Sequence, residues 1–280
     1  MRVTIFGASG LLGKALLREW SGDAVTGVGS READIRDAKS VQQVVRETRP
    51  DWIVMAAAYT DVDGCESKSD LAFAVNRDGA VNVANAAKMF SARFVFLSSD
   101  YVFDGKKRTP YEIDAARNPQ SVYGRTKAEA EIMLLDLIPD CCVARTSWLF
   151  GAGGKCFPDT ILKLATSRPE LDVVDDQRGC PTYTTDLAQA IIQLCRKNAS
   201  GIVHVTNAGD CTWFEFAQQI VRSAELPTAV RPVSSQQMAR PAPRPAYSVL
   251  SAASLQALGI EIPSWPDALR RYIKERPLTS

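Results

Sequence analysis

Short runs of β-branched and other apolar residues alternate with stretches of helical period along the first half of the chain. Val3 to Phe6, Ala24 to Val28, Trp52 to Met55, Arg93 to Leu97 and Cys142 to Arg145 read as strands. Between them Leu12, Ala15, Leu16 and Trp20 recur at helical spacing, as do Val41, Val44 and Val45 before the Arg49-Pro50 stop. A longer stretch, Leu71 to Phe90, carries Ala72, Val75, Ala80, Val83, Ala84 and Ala87 along one side, and another runs from Val122 towards Leu137 until Pro139 ends it. Parallel strands joined by helical crossovers predict an α/β fold built on a doubly wound parallel sheet. After about Phe150 glycine and proline rise and the spacing loses regularity, which predicts a first domain over 1–150 and a smaller α/β domain over 151–280. Helical pattern returns at Asp186 to Arg196 and Trp213 to Ser223. The alternating run between them, Ile202 to Thr206, is expected to rejoin the main sheet within a segment of about 184–206. Arg240 to Pro245, rich in proline, reads as an extended surface segment.

Composition narrows the function. The chain is 46% hydrophobic with 33 basic against 32 acidic side chains, a balance that gathers neither nucleic acid nor anionic lipid, and Lys106, Lys107 and Arg108 form the one basic run. No apolar stretch approaches the roughly 18 residues of a membrane span. Seven cysteines lie without metal-ligand spacing, and Cys141 and Cys142 sit inside an apolar run, as suits buried reduced thiols and a cytoplasmic chain. A single histidine, His204, removes the imidazole that a serine hydrolase triad or a multi-histidine zinc site requires, so no metal is expected.

The first strand runs directly into Gly7-Ala8-Ser9-Gly10-Leu11-Leu12-Gly13, which opens a helix. Gly7 and Gly10 let backbone approach a pyrophosphate, Leu11 and Leu12 present free N–H groups at the helix start, and Gly13 permits close packing of helix on strand. Strand, glycine turn and amphipathic helix in succession predict a dinucleotide site on a Rossmann-type sheet. The second strand ends at Gly29-Ser30-Arg31, with no acid immediately there to hold a ribose. Ser30 and Arg31 suit a 2′-phosphate, which favours NADPH and leaves NADH open. Asp34 and Ile35 are placed beside the adenine, and Ala56, Ala57 and Ala58 end the third strand where small residues allow the cofactor close, followed by Tyr59 and Thr60.

Tyr123 and Lys127 stand four residues apart at the start of a predicted helix and so share a face. An ammonium beside a phenol stabilises its anion and brings proton exchange within reach, while lysine is also suited to hold a nicotinamide ribose. The fourth strand runs into Ser98-Ser99-Asp100-Tyr101. Ser99, with Ser98 as the alternative, is placed to hydrogen-bond a substrate carbonyl, with Asp100 and Tyr101 lining the same pocket.

These elements in series resemble the dTDP-4-dehydrorhamnose reductase family, in the extended short-chain dehydrogenase/reductase class. The resemblance covers nearly the whole chain. It rests on the glycine turn, Ala57 to Asp63, Leu97 to Gly105, Tyr123 with Lys127, and Arg145-Thr146-Ser147-Trp148-Leu149-Phe150-Gly151. Later it continues in Gln177 with Gly179-Cys180-Pro181-Thr182, in Thr212 to Ala217, and in Arg244-Pro245 before Tyr247-Ser248. The resemblance implies reduction of the C4 ketone of dTDP-6-deoxy-L-lyxo-4-hexulose to dTDP-L-rhamnose. Tyr123 would supply the proton, Ser99 would orient the tyrosine and carbonyl, and Lys127 would bind the ribose. Val62, Asp100, Tyr101 and Trp148 would surround the sugar. Arg244 is a natural partner for the nucleotide diphosphate, because guanidinium pairs well with phosphate oxygens.

The chain also departs from that family. Ser99 stands where threonine is frequent, and Ala15 where some members carry a glutamate for magnesium at a dimer interface, so a monomer or weak homodimer is expected. Arg178 and Cys180 lie where smaller residues are common. Other nucleotide-sugar reductases or epimerases share the class, whereas dehydratases follow the hydroxyl residue with Asp-Glu and this chain has Asp100-Tyr101. The alternative from a different functional class is an NADP-binding regulatory subunit, like the methionine adenosyltransferase β subunit, which shares the Ser-Ser-Asp-Tyr-Val-Phe-Asp-Gly element and the Tyr/Lys pair.

Overall fold

The computed structural model describes residues 1–276. Its centre is a six-stranded sheet made of β1 (Arg2–Phe6), β2 (Ala24–Val28), β3 (Trp52–Met55), β4 (Arg93–Ser99), β5 (Cys142–Thr146) and a final strand, Gly201–His204. Every pairing is parallel, in the spatial order β2, β1, β3, β4, β5 and Gly201–His204. Parallel strands are covered on both faces, which is why they read as continuous apolar runs. Val3 and Ile5 of β1 with Val95 and Leu97 of β4 face α1 (Leu11–Glu19) and the helix Thr184–Arg196, through Leu12, Leu16, Leu187 and Ile191. Phe6, Ile53, Phe94 and Phe96 face the other way, onto α2 (Ala38–Thr48) and the helices Gly79–Met89 and Val122–Leu137. Ala15 is part of the first layer and is buried.

The strand order sets where a ligand enters. From β1 the chain steps to β2 on one side and then crosses to β3 on the other, so the carboxyl ends of β1 and β3 part at a topological switch point. Gly7 turns the chain there with φ +88°, and a Cβ on it would stand 2.4 Å from the backbone nitrogen of Ala57. Gly13 has the same constraint from the helix side, since its Cβ would lie 2.1 Å from the Gly7 carbonyl oxygen. The first turn of α1 starts at Gly10 with no side-chain cap and no acid among its first residues, which leaves its N–H groups to a ligand.

The predicted helix Leu71 to Phe90 is in fact interrupted. Short helices Val62–Ser67 and Ser69–Phe73 lead into a π-helical turn, Ala74–Asp78, before the regular helix Gly79–Met89. The cause is Asn76, which is buried and bonded on several sides. Its side chain accepts from Tyr59 N–H at 2.7 Å and donates to the Tyr59 carbonyl and Thr126 Oγ1, each at 3.1 Å. A wider turn brings that amide to the end of β3 and to the Val122–Leu137 helix at once.

The second part of the chain has its own core. Phe150, Ile161, Tyr183, Phe216, Leu269 and Tyr272 pack among the helices Phe157–Ala165, Trp213–Ser223 and Trp265–Glu275. The Glu170–Val174 strand pairs in parallel with Ala229–Val233 beside them. Thr212 and Glu215 form a reciprocal cap at the start of Trp213–Ser223, a signal present in the Thr-x-x-Glu spacing. All seven cysteines are buried and unpaired. No helix among the described residues is long and apolar enough to cross a membrane.

Gly13→Ala should cost about 3 kcal/mol of stability, because the added methyl meets fixed backbone rather than a movable side chain. Urea unfolding measures it, and dinucleotide binding should weaken in the same variant.

Candidate active site

A cleft of about 880 Å³ opens at the carboxyl ends of β1, β3 and β4. Gly7, Gly10, Leu11 and Leu12 form its glycine-turn wall, and Ser30, Asp34 and Ile35 stand at the end of β2. Ala56, Ala57, Ala58, Thr60 and Val62 form the side next to β3, while Ser99, Asp100, Tyr101, Tyr123, Lys127 and Trp148 close the far end. The structure therefore brings to one surface most residues that the sequence singled out from separate segments.

The others lie elsewhere. Gly13 serves packing, as described, and Tyr59 meets Asn76 through its backbone. Arg31 is exposed and off the cleft wall, where Arg36 stands instead. Arg36 closes on Asp34 through Nε at 3.0 Å from both carboxylate oxygens, which holds the Asp34 carboxyl below its usual range. An acid also folds onto the end of β2, since Glu32 accepts the Gly29 N–H at 2.8 Å. Spacing concealed it, because the turn brings back a residue three positions on. Arg244 lines a second cavity of about 660 Å³, which shares Tyr101 and Trp213 with the first. Its guanidinium grips Asp63 with both Nη atoms at 3.0 Å, and Arg240 approaches the same carboxylate at 3.6 Å.

The helix Val122–Leu137 is aimed from its first turn. Ser121 caps it by accepting Gly124 N–H at 3.1 Å, and Glu66 accepts Val122 N–H at 2.8 Å. Tyr123, Lys127 and Glu131 follow at four-residue intervals along one face. Glu131 is fully buried and bound by Arg145 through Nε at 2.9 Å and Nη2 at 2.7 Å, with Ser98 and Arg117 also donating to it. Those cations hold its carboxyl below the ordinary range despite burial. Ser98 is thus tied to the network beneath the sheet end, while both it and the neighbouring Ser99 reach the cleft wall. Ser99 donates to Asp100 Oδ1 at 2.9 Å and accepts Tyr101 N–H at 3.2 Å.

Burial dominates the site's acid–base balance. It pushes the Tyr123 phenol well above its usual value, opposed by the Ser99 hydroxyl and reinforced by the Asp100 charge. Lys127, whose Nζ lies 4.3 Å from the centre of the Phe96 ring, is driven down to about 7 by desolvation, against the pull of Glu131. The ammonium expected to lower the tyrosine is itself weakened, so the phenol keeps its proton. Asp100 is raised to about 6 by burial, against the hydroxyls of Ser248 and Ser99. His204 is buried, pushed down to about 4, and sits behind Arg145 rather than in the cleft.

Sequence spacing missed Asn76, Arg36, Lys155 and Trp213 on or under this site. Trp213 stacks on Trp148 with centroids 3.6 Å apart and planes 8° from parallel, while Trp148 takes a left-handed φ of +47°. A bulky residue in that region is strained, and the stacking holds it there. Asn76 had one available signal, an amide on an otherwise apolar helix face.

Lys127 makes the empty protein sensitive to pH in a definite direction. Its folded pKa of about 7 lies below the unfolded 10.5, so its desolvation cost is full below pH 7 and is relieved as pH rises through that interval. Between pH 7 and about 8.5, below the onset of ordinary thiol ionisation, the melting temperature should climb more steeply for the wild type than for Lys127→Met. The variant should also melt higher at pH 7, and thermal unfolding at several pH values checks both.

Comparison with known proteins agrees across the full length. The profile described as RmlD substrate binding domain matches residues 1–277. The chain is 40% identical to the spore coat polysaccharide biosynthesis protein SpsK of Bacillus subtilis, with 98% of each chain covered. It is 41% identical to a dTDP-4-dehydrorhamnose reductase of Streptomyces griseus, covering 96% of this chain and 91% of that one. The solved structure of dTDP-4-dehydrorhamnose reductase from Bacillus anthracis in complex with NADP superposes with a TM-score of 0.96 at 39% identity, covering 98% and 99% of the two chains. With the profile matched over nearly the whole chain and a relative 41% identical over 96% of it, the chain belongs to the RmlD substrate binding domain family.

Proposed function

We propose that this protein uses NADPH to reduce the C4 ketone of dTDP-6-deoxy-L-lyxo-4-hexulose, giving dTDP-L-rhamnose. The observation that carries this reading is the convergence of Ser99, Tyr123 and Lys127 on the cleft that also contains the glycine turn. The residues present fit a dinucleotide: the backbone at Gly7 leaves no room for a side chain, and the start of α1 offers uncapped N–H groups. The B. anthracis relative's complex with NADP supports the phosphorylated cofactor.

When bound, the reduced nicotinamide supplies a hydride to the carbonyl carbon. The chain's task is then to deliver a proton to the carbonyl oxygen and to stabilise the charge that develops there. Tyr123, kept protonated by burial, is the donor. Ser99 orients phenol and carbonyl with its hydroxyl, and Lys127 holds the ribose by donating to its hydroxyls. Asp100 stands on the same wall, and Trp148 with Val62 supplies apolar surface.

The second cavity continues from the first across Tyr101 and Trp213 and takes the nucleotide end of the substrate. Arg240 and Arg244 line it and now share Asp63, so an arriving diphosphate competes with one carboxylate for two guanidinium groups. Arg178, by contrast, is spent on Asp210 at 2.7 Å and Glu215 at 3.0 Å.

Loss of nicotinamide absorbance with the dTDP-ketosugar tests the reading, and no turnover with that substrate would overturn it. Tyr123→Phe should retain cofactor binding and lose turnover by roughly a thousandfold, measured by the same assay alongside fluorescence titration of NADPH.

A further inference from the structure

We infer that Lys155, carried by a loop of the second domain, is a ligand of the dinucleotide's pyrophosphate. The inference rests on the cofactor reading above and extends it to a residue outside the glycine turn.

The starting point is charge. A dinucleotide pyrophosphate brings two negative charges, and the turn Gly7 to Gly13 contains no cation to meet them. Three cations stand on the cleft wall: Arg36, Lys127 and Lys155. Arg36 is closed by Asp34 at the end of β2. Lys127 is buried at the opposite end, beside Tyr123 and Phe96. Lys14, the first lysine of α1, is spent on the Gly153 carbonyl at 2.6 Å. Lys155 is the cation that remains, and its side chain is exposed.

Its place is fixed even though its side chain is not. Gly151 lies so close to Thr184 that a Cβ on it would stand 1.9 Å from the threonine Oγ1. Gly153 is tied to α1 by Lys14, and Gly154 sits over the first helical turn, where its Cβ would lie 3.3 Å from Leu11 Cδ1. On the far side Cys156 is buried at the head of the helix Phe157–Ala165. Lys155 therefore lies between two anchored neighbours, on the wall it shares with Gly10, Leu11 and Leu12 at the start of α1. An ammonium entering from the second domain would complete the anion site that the uncapped N–H groups of α1 begin, and would join the two domains through the cofactor.

The test is binding, independent of turnover. NADPH and NADH are titrated by fluorescence into wild type, Lys155→Gln and Lys155→Arg, with dTDP titrated in parallel, and the melting temperature of each empty protein reports that the fold is kept. Lys155→Gln should weaken both dinucleotides by about tenfold, the loss of one charge-assisted bond. It should also reduce the salt dependence of binding and leave dTDP unchanged. Lys155→Arg should bind close to wild type. A loss confined to NADPH would move the contact to the 2′-phosphate, and a loss confined to dTDP would move it to the substrate, each overturning the inference, as would unchanged binding of all three. Failure of the wild type to bind any dinucleotide would instead sink the cofactor reading itself.

Discussion

The site depends on one backbone contact. Gly7 lies against Ala56 and Ala57 so closely that a methyl on it would overlap main-chain atoms of both. That approach lets β1 and β3 run side by side up to their carboxyl ends and then part abruptly, with no side chain filling the gap. Everything the cleft offers to a dinucleotide follows from it: a turn tight enough to aim α1, N–H groups left without internal partners, and alanines where a larger residue would block the cofactor. Gly13 repeats the demand from the helix side, which is why glycine at Gly7 and Gly13 is a steric requirement rather than a composition bias.

At the other end of the cleft the governing constraint is desolvation. Tyr123 and Lys127 are held on one helix face in a site dry enough to favour the neutral form of each. The charges below them are arranged differently: Glu131 is ionised, and Arg145, Arg117 and Ser98 satisfy it. A buried pair of that kind contributes little net stability, yet removing either partner strands the other, so it works chiefly to hold the helix and strands β4 and β5 in one arrangement. A protonated phenol and a weakened ammonium thus stand above a charged but neutralised floor. A protonated phenol is the state that a reductase needs before hydride arrives.

The structure also shows how unevenly chemistry was visible along the chain. The glycine turn, the Tyr123/Lys127 pair and Ser99 were legible because each is local: a strand end, a helix start and a fixed spacing carry the geometry with them. Arg31 was chosen for a place that Arg36 occupies, because a turn of irregular backbone decides which of two nearby arginines reaches the wall. Glu32 escaped notice for the same reason, folding back on Gly29. The helix expected from Leu71 to Phe90 was real in its apolar face but broken by a π-turn, since the bonds of Asn76 to Tyr59 and Thr126 are long-range and leave no periodic trace.

By itself the sequence determined the alternation of strands and helices, the place of the glycine turn and the shared face of Tyr123 and Lys127, for all of these rest on short-range sterics and on the periods of helix and strand. Only the tertiary structure decided the electrostatics and the partnerships. Whether Lys127 is charged depends on how much water the fold removes from it, and whether Arg244 is available depends on Asp63, which lies far away in sequence. Trp148 meets Trp213 only because segments far apart in sequence pack into one core. Burial and long-range pairing are properties of the assembled chain, and no local pattern encodes their outcome.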